Sequence, residues 1–293
     1  MARSLAALWL AFSLAGAASA ATQSGSLAAA AASGSPFRVT CSDDGAGAPA
    51  SLAVQVRDDP PAAAALVSVQ VRKGSSASSA TDPAEGDADP SPLVFVNGGS
   101  GVYDVYVDKT AAGVEGYTLG YQCMTGTNGT GVPTGTSISP SAGVPIPVLP
   151  FFAALLLALA LGGASVASAH TQAGSLGAAA SATDSYQVTC SDDGSGAPAS
   201  LIVQILDASP AAAPLVMVQA QKGTELVNST DPGDADADPS PEAFVNGGAG
   251  VYNVLVDKTG AGAESYTLTY HCYTGPNGTG IHTGTTLTTL QNQ

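Results

Sequence analysis

Gly101-Val102-Tyr103-Asp104-Val105-Tyr106-Val107-Asp108 alternates residue by residue. Tyr103, Val105 and Val107 fall on one side of an extended chain, and Asp104, Tyr106 and Asp108 on the other. A period of two predicts a strand with one buried and one wetted face. The stretch returns as Gly250-Val251-Tyr252-Asn253-Val254-Leu255-Val256-Asp257, so whatever it builds is built twice.

The repeat extends well beyond this strand. Cys41-Ser42-Asp43-Asp44-Gly45 recurs as Cys190-Ser191-Asp192-Asp193-Gly194, and Phe95-Val96-Asn97-Gly98-Gly99 as Phe244-Val245-Asn246-Gly247-Gly248. Cys123 matches Cys272 at the same shift of 149, and residues 22–137 align with 171–286 without a gap. Each copy has the usual size of a single domain.

Within a copy, the alternation recurs at Phe37, Val39 and Cys41; at Leu52, Val54 and Val56; at Val67, Val69 and Val71; and at Tyr117, Leu119, Tyr121 and Cys123. Turn-forming sequences separate these runs: Asp58-Asp59-Pro60-Pro61, Asn97-Gly98-Gly99 and Ala112-Gly113. No helical apolar stripe occurs outside two leader-like segments. The expectation is an all-β protein with two tandem antiparallel β-sandwich domains of jelly-roll or immunoglobulin-like type, each of roughly six to eight strands. The Ala-Gly-Ser stretch over residues 24–35 has no period and reads as a flexible stalk or a ragged first strand.

Cys41 and Cys123 share the inward parity of their strands, as do Cys190 and Cys272. Even, matched placement predicts the disulfides Cys41–Cys123 and Cys190–Cys272 in an oxidising compartment. A zinc site is the competing use of such cysteines, but neither a CxxC spacing nor neighbouring histidines accompany them.

Residues 1–20 read as a signal peptide: Arg3 gives the basic start, residues 5–14 the apolar run, and Ala18-Ser19-Ala20 the cleavage site. The run is shorter than the ~20 residues that span a bilayer. Residues 144–169 carry no charge and separate the copies. A stop-transfer helix would put the copies in different compartments, against their matching cysteines. A second signal peptide fits Ala167-Ser168-Ala169 before His170, although a basic start is missing. Val144-Pro145-Ile146-Pro147-Val148-Leu149-Pro150 with its apolar run also resembles the Pro-containing IPTL or PEP sorting tails of bacterial surface proteins. The register favours duplication of a whole precursor, and it leaves open cleavage, membrane association or sorting through 144–169. The expected location is secreted, periplasmic or at the cell surface.

The pattern Gly101-Val102-Tyr103-x-Val105-x-Val107-Asp108 followed by Tyr117-Thr118-Leu119, repeated at Gly250 and Tyr266, resembles bacterial pre-peptidase C-terminal domains. That resemblance implies an extracellular accessory or binding module and brings no catalytic residues with it.

Acids outnumber bases 23 to 8, for a net charge of −15. Nucleic acid is excluded as a partner, because phosphate neutralisation needs clustered Lys and Arg. The partner expected is instead an extracellular ligand or surface component of unknown kind.

One acidic loop is the candidate site for chemistry. Asp231, Asp234, Asp236 and Asp238 in the second copy correspond to Asp82, Glu85, Asp87 and Asp89 in the first. Alternate carboxylates in a turn-rich loop can converge on a hard cation such as Ca2+. An EF-hand pattern is absent, and a solvated acidic loop is the competing reading. Asp43-Asp44 and Asp192-Asp193 form a second acidic turn, read mainly as an Asp-Gly turn.

The three histidines, His170, His271 and His282, all lie in the second copy, opposite Ala21, Gln122 and Pro133. The first copy therefore cannot hold a Ser-His-type triad. On its outward parity, His271 reads as solvated, as does Tyr106. Asn128, Asn228 and Asn277 each begin a glycosylation-type Asn-x-Ser/Thr triplet. The expected function is a non-catalytic binding or structural module. A calcium-binding accessory protein is the alternative, and an extracellular hydrolase would need a chemical pair in both copies.

Overall fold

A computed structural model describes residues 20–61, 65–141, 170–209 and 214–293. The signal-peptide reading of residues 1–20, apart from Ala20, and all readings of 144–169 lie outside the described residues. Among the described residues no helix is long and apolar enough to cross a membrane.

The first copy forms β1 (Ala21–Leu27), β2 (Ser35–Ser42), β3 (Ser51–Asp59), β4 (Val67–Lys73), β5 (Ser76–Thr81), β6 (Val94–Asn97), β7 (Gly101–Lys109), β8 (Glu115–Met124) and β9 (Gly135–Pro140). The second repeats them as β10 (His170–Leu176), β11 (Asp184–Ser191), β12 (Ser200–Ala208), β13 (Val216–Lys222), β14 (Glu225–Thr230), β15 (Ala243–Val245), β16 (Gly250–Lys258), β17 (Glu264–Tyr273) and β18 (His282–Gln291). Among the described residues each copy thus has nine strands, more than the alternation alone predicts. Of the two readings of the Ala-Gly-Ser segment, its start takes the first-strand one: it lies in β1, paired antiparallel with β8.

In the first copy the strands form antiparallel sheets in the order β1-β8-β3-β6 and β5-β4-β7-β2-β9. Valines and tyrosines of both sheets share one buried cluster, including Val54, Val56, Val69, Val105, Tyr103 and Leu119. The second copy has the matching cluster around Val203, Ile205, Val218, Val254, Tyr252 and Leu268. The predicted disulfides Cys41–Cys123 and Cys190–Cys272 are formed, each with Cα atoms 5.6 Å apart.

The copies differ at one seam. In the second, β18 pairs with both β11 and β17, which merges its strands into a single nine-stranded, nearly closed sheet. Tyr273 faces His282 in this ladder, whereas the first copy has only an isolated Met124–Pro133 bridge at that point. Proline has no N–H to donate to a ladder, which accounts for the open seam.

The two copies pack against each other through the outward faces of β4, β5 and β7 and of their counterparts. Tyr106, expected to face solvent, is buried, and its hydroxyl donates to Gln221 Oε1 at 2.5 Å. It joins Ala77, Leu226 and Leu255 in a small apolar cluster between the copies. Asn228 is buried too and donates to the Lys109 carbonyl at 2.5 Å, so this Asn-x-Ser/Thr triplet lies in the contact. Gln70 reaches Asp257, Thr183 meets Ser79, and the Gln291 amide bonds both backbone groups of Ala77. The contact is pseudo-symmetric. Two clefts of about 460 and 370 Å³ flank it, lined by equivalent residues such as Asn228–Thr230 with Thr110, and Ser79–Thr81 with Thr259.

Candidate metal centre

Alternation places an acid at the end of two core-facing rows. In β3, the buried series Leu52, Val54 and Val56 continues to Asp58; in β8, Tyr117, Leu119 and Tyr121 are preceded in the same parity by Glu115. The strands are neighbours, with Asp58 opposite Tyr117 and Asp59 opposite Gly116. Asp58 and Glu115 therefore meet at one end of the core, and Asp207 and Glu264 do so in the second copy. All four are fully or almost fully buried.

The acidic loop closes over this pair. In the second copy one carboxylate oxygen from each of Asp207, Asp234 and Glu264 lies within 4.8 Å of the others. Ca–O bonds of about 2.4 Å allow ligand oxygens on one ion to stand up to roughly 4.8 Å apart, so the spacing fits a shared cation. Neither Glu264 oxygen has a hydrogen-bond donor, nor does Asp207 Oδ1 or Asp234 Oδ1. In the first copy, both Asp58 oxygens lack one as well. Buried carboxylates without donors are costly unless a cation compensates them.

Electrostatics agree. Burial, reinforced by the charge of Glu115, pushes the Asp58 carboxyl up to about 7. Burial and Glu264 do the same to Asp207, also up to about 7. Glu264 is raised by burial and then by Asp234, with Lys258 acting in the opposite direction. Lys258 Nζ itself donates to the Gly177 and Gly262 carbonyls, as Lys109 does to Ala28 and Gly113.

The eight acidic residues predicted from the loop take three roles. Asp234 joins the buried pair, and Glu85, exposed at the matching position, adds to the negative field on Asp58. Asp82 and Asp231 anchor the loop: their Oδ2 atoms accept the Asp58 and Asp207 amides, each at 2.7 Å. Asp87, Asp89, Asp236 and Asp238 are exposed; Asp87 and Asp236 accept the amides of Asp89 and Asp238 at 2.8 Å and shape the turn.

Sequence reading missed Asp58, Glu115, Asp207 and Glu264. The available signal was parity, but Asp58-Asp59-Pro60-Pro61 reads first as a turn. The other acidic turn is a separate feature. Asp43 Oδ1 accepts the Gly45 and Gly47 amides, and Asp192 those of Gly194 and Gly196.

One further correction concerns the histidines. His271 is 6% exposed rather than solvated, because His170 and His282 stand against its ring. Comparison with protein-family models and with curated proteins gives no match to this chain.

Proposed function

We propose that this chain is an exported or surface-attached protein of two Ca2+-stabilised β-sandwich modules, acting in non-catalytic binding or as a structural surface component. The carrying observation is the buried carboxylate pair repeated at equivalent positions, Asp58 with Glu115 and Asp207 with Glu264, the second of which gathers with Asp234 into one three-carboxylate group where neither Glu264 oxygen has a hydrogen-bond donor. Hard oxygen donors, with no cysteine or histidine in the group among the described residues, favour Ca2+ over softer ions. The acidic loop then acts as a clasp that Ca2+ closes onto the strand ends. Two disulfides support an extracellular setting.

Thermal melts with 1 to 5 mM Ca2+ (roughly the range that saturates extracellular modules) and with EDTA test the reading. A Ca2+-dependent rise of several degrees is expected. Superimposable melts in Ca2+ and EDTA would remove the metal from the proposal.

A further inference from the structure

Three strands carry the three histidines to one place on the second copy. His170 opens β10, His271 lies in β17, and His282 opens β18 opposite Tyr273. Nothing in their sequence spacing suggests this; the ladder pairings create it. The His170 backbone nitrogen is 3.2 Å from His271 Nε2, and the Nδ1 atoms of the two residues are 3.4 Å apart. The rings of His271 and His282 stand 4.5 Å apart between centroids, and His282 Nε2 contacts the Tyr273 hydroxyl at 2.6 Å.

Two nitrogens bound to one ion at about 2.0–2.1 Å each stand roughly 3–4 Å apart. The 3.2 Å between the His170 backbone nitrogen and His271 Nε2 falls within that range, with Nε2 as the one His271 nitrogen offered to the ion. His271 Nε2 accepts the His170 amide, so in the neutral ring this nitrogen carries the lone pair and Nδ1 the proton. No carboxylate bonds any of the three rings among the described contacts.

His170 also follows directly on Ala167-Ser168-Ala169, the leader-type cleavage sequence. A cut after Ala169 turns the His170 amide into a primary amine. That amine and Nδ1 of the same residue close a six-membered chelate ring on a metal, the amine giving up its proton on binding. The nitrogen already facing His271 Nε2 would then be a ligand. All-nitrogen, tetragonal donor sets of this kind favour Cu2+, which also heads the divalent affinity order.

We propose that His170 and His271, with His282 alongside, form a Cu2+ site on the second copy that is completed when the chain is cut between Ala169 and His170. The site is independent of the Ca2+ clasp, whose ligands are oxygens on other strand ends.

The test compares full-length protein recovered after export with uncut full-length chain, each stripped of metal and titrated with CuSO4. Affinity is read by competition and ligation by electron paramagnetic resonance; N-terminal sequencing identifies the cut. The exported product should begin a chain at His170, bind one Cu2+ through at least three nitrogens, and bind it at least tenfold more tightly than the uncut chain. His271→Gln should lower the affinity at least tenfold. That variant restores the residue present at Gln122 of the first copy, so folding is expected to survive, and an unchanged Ca2+ response in melts verifies it. Equal Cu2+ affinity of wild type and His271→Gln overturns the site. Equal affinity of cut and uncut chains, or an exported product still joined at 169–170, overturns the role of processing.

Discussion

Gln70 of the first copy donates to Asp257 of the second at 3.2 Å while also donating to its own neighbour Asp108 at 3.1 Å. Gln219 donates to Asp257 at 2.9 Å, and the four residues form a buried, pseudo-symmetric cluster in the centre of the contact between copies. Such reciprocity, in which Gln70 serves the second copy and Gln219 acts on Asp108 of the first, is what a two-fold interface between identical subunits looks like. The duplicated chain carries within itself the pairing of two like modules.

This cluster predicts a pH dependence. Burial raises Asp257 to about 6, and burial together with the charge of Asp257 holds Asp108 well above the usual carboxylate range. No donor reaches Asp108 Oδ2, Gln70 Oε1 or Gln219 Oε1, and a proton on Asp108 could serve either amide oxygen. The folded state therefore binds more protons than the unfolded one. The stability contributed is fully present below about pH 4 and is lost as pH rises through about 6, a change on the order of 3 kcal/mol for Asp257. Melts between pH 4 and 8 should show it, with Asp257→Asn flatter and more stable at pH 8. An unchanged pH profile in that variant would count against the cluster as its source.

Each disulfide spans the two sheets or their counterparts at a sequence separation of 82 residues. Loops of that length restrict the unfolded chain strongly, by about 4–5 kcal/mol in the chain-entropy model. Replacing Cys41 and Cys123 by Ser is expected to destabilise the first copy by that order in urea denaturation, leaving the second largely unaffected. A loss below about 1 kcal/mol would show that the loop is already restrained in the unfolded state.

Much of this architecture was legible in the sequence. Alternation located the core strands, and shared parity gave both cysteine pairs. What parity could not show is what covers an outward face. Gln70, Tyr106 and Asp108 have the pattern of a wetted surface, but a second copy of the same surface buries them. The carboxylate group was half legible. The loop was found from its acids, whereas Asp58 and Glu115 required following each row of apolar residues to its last member. The histidine cluster depends on β10 and β18 flanking β17 at its two ends, and no sequence pattern states that adjacency.

The interface also predicts how the halves behave once separated covalently. The contacts made by Asn228, Tyr106, Gln291 and Gln70 lie entirely within the described strands and do not involve residues 142–169. A protease site engineered into 142–169 should therefore yield two fragments that co-elute in gel filtration under non-reducing conditions. Leu226→Glu, which would place a charge against Gly34 and the apolar cluster, should separate them. Fragments of the unmodified sequence that separate at micromolar concentration would show the contact is too weak to outlast the linker.

The proposed Ca2+ clasp makes the most discriminating prediction, because a clasp and an ordinary buried acid respond oppositely to one substitution. Without Ca2+, Asp207 contributes a buried, repelling charge beside Glu264, so Asp207→Asn should leave the apo protein equally stable or raise its melting temperature. With Ca2+, the same variant should lose the rise belonging to the second copy, since one oxygen of the three-carboxylate group is no longer anionic. Asp58→Asn should do the same for the first copy, and the double variant should melt identically in Ca2+ and EDTA. Asp238→Asn, exposed and outside the carboxylate group, serves as the control and should retain the full response. If the exposed control loses the Ca2+ response while Asp207→Asn keeps it, the cation is bound by the loop alone and the buried carboxylates are not its ligands.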